Sequence, residues 1–134
     1  MKNLRIVIFE DDQALASMLK LVLSKGGHDV QVFPDPTICP VYRDHETECI
    51  NGTPCADVII SDYKMPHMTG LDFFKLMRMR GCKAKDENKL LITGSVISAE
   101  MKHDIKGLGC CCIKKPFKIS KIVNWVDECA DREQ

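Results

Sequence analysis

The sequence carries no excess of charge of either sign: 19 Lys and Arg residues balance 19 Asp and Glu residues. Nothing in that balance steers the chain toward nucleic acid or an anionic membrane surface. No apolar run is long enough to span a bilayer. The start, Met1-Lys2-Asn3-Leu4, leads straight into a strand pattern and not a signal peptide. A cytoplasmic location without membrane insertion is therefore expected. No internal repeat or second domain is visible, and residues 1–134 are expected to form one domain large enough to bury a core without staples. Among the eight cysteines no pair is separated by two residues, the spacing of close-paired metal ligands. They also lie in a chain that alternates strands and helices, unlike a short, loop-rich disulfide scaffold. Reduced thiols are the first expectation.

What the sequence does have is a β-branched run, Asp57-Val58-Ile59-Ile60-Ser61, that ends at Asp62. This is the pattern of a strand buried on both faces, as in a parallel sheet covered by helices. Such a strand delivers Asp62 to the crevice where open α/β sheets bind ligands. Residues 4–9 form a first strand ended by Glu10-Asp11-Asp12. Asp12 is placed to cap the helix marked by Leu15, Met18, Leu19, Val22 and Leu23. Residues 29–33 alternate as an edge strand with one buried side.

Thr69-Gly70-Leu71-Asp72 has the form of a capping box, and Leu71, Phe74 and Met77 mark the helix behind it. A fourth strand, residues 89–93, ends at the Thr93 hydroxyl; a fifth, residues 110–114, ends at Lys115-Pro116. Ile97, Met101, Ile105 and Leu108 space the helix between them, and Ile119, Ile122, Val123, Val126 and Cys129 space the last one. Trp125 is read as lying off that last stripe, either on a partly exposed docking surface or at the core edge. His28, His67 and His103 are isolated and expected in solvent. Five βα units in this length imply a three-layer α/β sandwich, doubly wound because a barrel needs about 250 residues.

Residues 34–56 resist this treatment. The segment holds Pro34, Pro36, Pro40, Pro54 and Gly52, with at most a short helix within residues 41–49. Cys39, His45, Cys49 and Cys55 are ligand types for a tetrahedral metal site, but their spacing fits no close-paired motif. A bound metal, a disulfide and free thiols all stay open. At least one of Cys110, Cys111 and Cys112 is expected to face the core as a small apolar residue.

At the strand ends the inventory is Glu10, Asp11, Asp62, Thr93 and Lys115. Carboxylates that close repel one another unless a cation joins them. A hard divalent ion such as Mg²⁺ takes oxygen ligands of this kind, and lysine is a point charge suited to phosphate. The set fits in-line phosphoryl transfer to Asp62, which needs positioning and charge neutralisation more than acid–base groups.

The motifs Ile8-Phe9-Glu10-Asp11-Asp12, Asp62-Tyr63-Lys64-Met65-Pro66-His67-Met68-Thr69-Gly70-Leu71, Leu91-Ile92-Thr93-Gly94 and Lys114-Lys115-Pro116-Phe117 occur in this order. By these the chain resembles the receiver domains of two-component response regulators, of the stand-alone chemotaxis type, over nearly its whole length. The resemblance implies a flavodoxin-like, doubly wound, five-stranded parallel sheet of order 2-1-3-4-5. It implies that Asp62 accepts a phosphoryl group from a sensor histidine kinase, a histidine phosphotransfer protein or a small phosphodonor. Asp11, Asp62 and the backbone carbonyl of Lys64 would ligate Mg²⁺ directly, with Glu10 acting through metal-bound water. Thr93 and Lys115 would contact the phosphoryl oxygens, and the Lys115-Pro116 bond would be cis. The implied protein is a switch and not an enzyme; its own phosphorylation and dephosphorylation are its only chemistry. Output is expected through a downstream protein target, since no DNA-binding segment follows. Cys112 occupies the position where the family commonly carries an aromatic residue, so the usual aromatic in/out movement is not expected. Lys64 and Ser95 flank the path of hydrolytic water, and Lys64 is expected to alter the phosphoryl lifetime. A function of another class is a metal or redox sensor built on the segment from Cys39 to Cys55.

Overall fold

The apolar runs become five strands in the computed structural model, which describes residues 3–133: β1 (Arg5–Phe9), β2 (Asp29–Phe33), β3 (Val58–Asp62), β4 (Lys89–Thr93) and β5 (Cys111–Lys114). Met1, Lys2 and Gln134, the ends of the expected domain, lie outside the described residues. Every pairing is parallel, and the order is β2-β1-β3-β4-β5. The helices are α1 (Gln13–Lys25), α2 (Pro40–Arg43), α3 (Gly70–Met79), α4 (Ala99–Leu108) and α5 (Ile119–Arg132). Parallel neighbours need crossovers, and these crossovers cover both faces, giving the flavodoxin-like, doubly wound, three-layer arrangement.

Alternation along the central strand divides the core in two. Val58 and Ile60 face one layer with Leu19 and Leu23 of α1 and Ile122, Val126 and Cys129 of α5. Ile59 faces the other with Phe9, Tyr42 of α2 and Phe73, Phe74 and Met77 of α3. The four residues Val58 to Ser61 are all buried, as the continuous β-branched run predicts.

Helix starts follow local chemistry. Asp12 caps α1 by accepting from the N–H groups of Ala14 and Leu15. Thr69 accepts from the Asp72 N–H at 3.0 Å, which is one half of a capping box. Gly109 ends α4 at φ 78°, a left-handed turn that favours glycine.

Two expectations are corrected. Trp125 is buried in the α5 core layer, so of its two expected roles packing in the core holds and the exposed docking surface does not. It stands three residues after Ile122 and four before Cys129, so it belongs to the buried stripe. Its Nε1 has no hydrogen-bond partner among the described residues. His28 is also buried, and its Nδ1 accepts a 3.0 Å hydrogen bond from the Leu4 N–H, tying the end of α1 to the start of β1. His67 and His103 are exposed, as expected. The short helix foreseen in residues 41–49 is a single turn that ends at Arg43. Of the three adjacent cysteines, Cys110 is buried, and Cys111 and Cys112 are half-buried against opposite core layers.

Candidate functional site

Strand register assembles the rim. Phe9 pairs with Ser61, so Glu10 and Asp11 emerge beside Asp62 at the carboxyl end of β3. Ligand oxygens of Glu10, Asp11 and Asp62 lie within 4.8 Å of one another. Asp12 is withheld from this group, because its carboxylate is committed to the α1 cap. Asp62 pairs with Ile92 across to β4, which brings the next residue, Thr93, to the same edge. Thr93 is buried, and its Oγ1 accepts from the Ser95 N–H at 3.0 Å. That leaves the Thr93 hydroxyl hydrogen available to an incoming oxygen.

Lys115 closes the site from β5. Its N–H donates to the Thr93 carbonyl at 2.7 Å, and the Lys115-Pro116 peptide bond is cis. Its Nζ lies 3.3 Å from Glu10 Oε1 and 3.6 Å from Asp62 Oδ1. Lys64 has an exposed side chain that enters no ion pair among the described residues.

The electrostatics are those of an undercompensated acid cluster. Burial, and then the Asp62 charge, push the Glu10 carboxyl up to about 7; Asp12 N–H and Lys115 oppose this only in part. For Lys115 burial works against the charge, but Asp62 and Glu10 outweigh it and hold the ammonium above the ordinary lysine value. One ammonium thus pairs with two carboxylates, Glu10 and Asp62, of a cluster of three whose donors are all oxygen. That donor set fits a hard divalent cation such as Mg²⁺.

Several contributions to the site come from residues that the sequence did not assign to it. The segment after Asp62 folds back so that Tyr63 N–H donates to the Ile92 carbonyl and Gly70 N–H to the Tyr63 carbonyl, both at 2.7 Å. Gly70 must be glycine there: a Cβ would run into the Asp62 carbonyl oxygen and lie 2.7 Å from Leu91 Cδ1. Its position inside a β-strand–turn–helix junction was the available signal, but the sequence alone reads it only as a helix start. Tyr42 of α2 donates its hydroxyl to the Pro66 carbonyl at 2.5 Å, pinning the same turn from the other side. No sequence signal points to that contact.

Cys39, His45, Cys49 and Cys55 do not come close enough together to share a metal ion. The acidic trio is the only group of three or more such ligands close enough to share an ion among the described residues. All eight cysteines are free thiols. Cys112 stands on β5 three residues before Lys115, in register with Leu91 of β4 and packed against the same core layer.

The family profile described as response regulator receiver domain matches residues 6–127. The chain belongs to that family. Receiver domains of this kind are the signalling switches of two-component systems, and phosphorylation and Mg²⁺ are typical of them. Among curated proteins this receiver is 31% identical over 104 residues to the alkaline phosphatase synthesis transcriptional regulatory protein SphR of Synechococcus elongatus. The match covers 72% of this chain but 40% of that relative, so the receiver spans well under two thirds of the relative's length. Among solved structures it resembles the Francisella response regulator 1452 receiver domain, with a TM-score of 0.76, 22% identity and coverage of 98% and 100% of the two chains. It also resembles the Vibrio cholerae chemotaxis protein CheY4, with a TM-score of 0.71, 25% identity and coverage of 95% and 98%. The first likeness speaks to the fold alone.

Proposed function

We propose that this receiver is a phospho-accepting switch in which Asp62 takes a phosphoryl group from a sensor histidine kinase, a histidine phosphotransfer protein or a small phosphodonor. The observation that carries it is the Lys115 ammonium lying within 4 Å of both Glu10 and Asp62 in an acid cluster that also holds Asp11. An Asp62 carboxylate oxygen attacks phosphorus in line with the leaving group. The new P–O bond forms as the donor's P–N or P–O bond breaks, and the leaving imidazole or acetate departs with that bond's electron pair. Lys115 then faces an added phosphoryl oxygen and offsets its charge, and the Thr93 hydroxyl donates to another. Glu10, Asp11, Asp62 and the Lys64 carbonyl are the groups that would hold Mg²⁺. When bound, the ion neutralises charge on the transferring group.

Phosphorylation biases two states of the domain, and the surface around α4, β5 and α5 passes the change to a downstream protein target. With Cys112 on β5, that coupling runs through Thr93 and backbone shifts and not through a swinging aromatic ring. The setting is the cytoplasm, with no nucleic-acid contact and no membrane insertion. The single domain acts as a switch whose only chemistry is on itself.

The test is intact mass after incubation with acetyl phosphate and Mg²⁺. Wild type gains one phosphoryl group, and Asp62→Asn gains none. A gain that persists in Asp62→Asn, or a change that depends on thiols alone, overturns the reading; the latter would favour a sensor built on Cys39 to Cys55.

A further inference from the structure

On the opposite side of the sheet from α1 and α5, a cavity of about 340 Å³ opens between β1, β3, α3 and the cysteine-rich segment. Protein interiors are close-packed, with few voids larger than a water molecule. A space of this size instead falls within the range of small-molecule pockets, about 300–1,000 Å³. Its origin is local. The α2 helix stops after one turn at Arg43, and residues 44–57 cross the sheet as irregular backbone, with no helix whose side chains would fill the space.

The cover is built and held. Tyr42 anchors its start on the Pro66 carbonyl. Cys49 N–H donates to the Arg80 carbonyl and Arg80 Nε to the His45 carbonyl, both at 2.7 Å. Arg5 reaches the Pro54 carbonyl at 3.1 Å. Contacts to Pro66, Arg80 and Arg5 therefore keep the cover in place over the space.

The lining specifies what would fit. Phe9 and Phe33, with ring centroids 6.2 Å apart, border the space together with Ile59 and Met77. No Lys, Arg or His lines it, so an anionic ligand would find no counter-charge. The single charged residue there is Glu48, which is exposed and paired with Arg80 at 3.5 Å. Cys39, Cys49, Cys55 and Cys82 line the same space but form no ligand group tight enough for an ion. Burial holds the Cys39 thiol above its ordinary value, so it stays neutral and soft. Thiols, a thioether and phenyl rings together favour contact with a π-system. The amides of Gln31 and Asn51 at the border offer a hydrogen bond to one polar atom.

We propose that this cavity is a binding site for a neutral aromatic small molecule, separate from the acidic rim. The inference does not rest on phosphorylation of Asp62, and its failure would leave that reading untouched.

The probe is N-phenyl-1-naphthylamine, a neutral aromatic fluorophore, titrated into the full chain. The expected result is a saturable rise in fluorescence at one probe per chain. Ala84→Leu and Cys39→Leu each project a larger side chain into the space, and each is expected to weaken binding at least tenfold with the far-ultraviolet circular dichroism unchanged. Because a filling variant can misfold, a second measurement uses wild type alone. Saturating probe is expected to slow alkylation of Cys39 by N-ethylmaleimide several-fold while leaving Cys111, on the other core layer, unchanged. The proposal is overturned by an absence of saturable fluorescence in wild type, by equal binding to folded Ala84→Leu and Cys39→Leu, or by alkylation of Cys39 indifferent to the probe.

Discussion

At the carboxyl edge of the sheet, side chains from the ends of β1, β3 and β5 meet within a few ångströms, whereas beneath residues 44–57 the same sheet leaves a cavity of about 340 Å³. The two regions share their scaffold: Phe9 precedes Glu10 and borders the cavity, and Ile59 does so three residues before Asp62. What differs is how each is specified. The rim follows from parallel pairing, since fixing Phe9 beside Ser61, Asp62 beside Ile92 and Thr93 beside Lys114 brings the acids, the hydroxyl and the lysine to one edge with little freedom left. The cover has no such register. A few hydrogen bonds hold it, so its interior can be loosely filled while the chain still folds.

The comparison is sharpest within β3 itself, where two isoleucines stand side by side on opposite faces. Ile60 is fully buried in the layer packed by α1 and α5, and Ile59 borders the cavity. Ile60→Ala is expected to cost about 2–5 kcal/mol, the range for deleting a core isoleucine in a site that cannot collapse. Ile59→Ala is expected near or below the bottom of that range, about 2 kcal/mol, because part of its surface already faces empty space. Urea unfolding of both variants measures the difference. Equal losses would mean that the cavity is filled in solution and that the contrast between the two layers is wrong.

Next in size is the loss of the rim's ammonium. Lys115→Met keeps the length of the chain and removes the cation that faces Glu10 and Asp62. Acetyl-phosphate labelling is expected to slow by about a hundredfold, in the range for removing one preorganised charge-stabilising donor. Mg²⁺ affinity is expected to move the other way, because the carboxylates lose a competing positive charge. A titration of Mg²⁺ in the unphosphorylated variant checks the second part. Weaker Mg²⁺ binding would show that Lys115 supports the acid cluster by holding its shape.

These two regions also divide what could be read in advance. Glu10, Asp11, Asp62, Thr93 and Lys115 were legible because strand ends in a parallel sheet share an edge, so naming the strands names the neighbours. The buried stripes of the helices were legible from their period of about 3.6 residues. The exceptions are Trp125 and Phe73, which are buried off the expected stripe, and Met18, which lies on the expected stripe of α1 but is half exposed. Phe73 is fully buried although the stripe through Leu71, Phe74 and Met77 passes it by; α3 presses against both the sheet and α2, so its buried face is wider than one stripe. Lys89 is buried too, its ammonium 3.0 Å from Asp86 one turn earlier, a pairing that alternation cannot reveal. Residues 34–56 stayed opaque because prolines and single long-range hydrogen bonds such as Tyr42 to Pro66 set their path. Such contacts leave no period behind. The four thiols do share a region, but Cys82 comes from beyond α3, and only the folded chain brings it to the others.

The smallest expected effect lies where rim and solvent meet. Lys64 follows Asp62 by two residues, and its exposed ammonium enters no ion pair among the described residues. Phosphorylation of Asp62 would place new negative charge near a flexible cation with no prior commitment. An exposed pairing of this kind is worth at most about 1 kcal/mol, or about a fivefold change in a rate that depends on it. Lys64→Ala is therefore expected to dephosphorylate about two- to fivefold faster than wild type, since water reaches phosphorus past a shorter side chain. Lys64→Arg should stay close to wild type if charge is the cause, and raising the salt should narrow the gap between Ala and wild type. A gap that persists at high salt assigns the effect to bulk alone. An unaltered rate in Lys64→Ala would mean that the ammonium stays in solvent after phosphorylation, and that control of the lifetime lies wholly with the inward-facing groups of the rim.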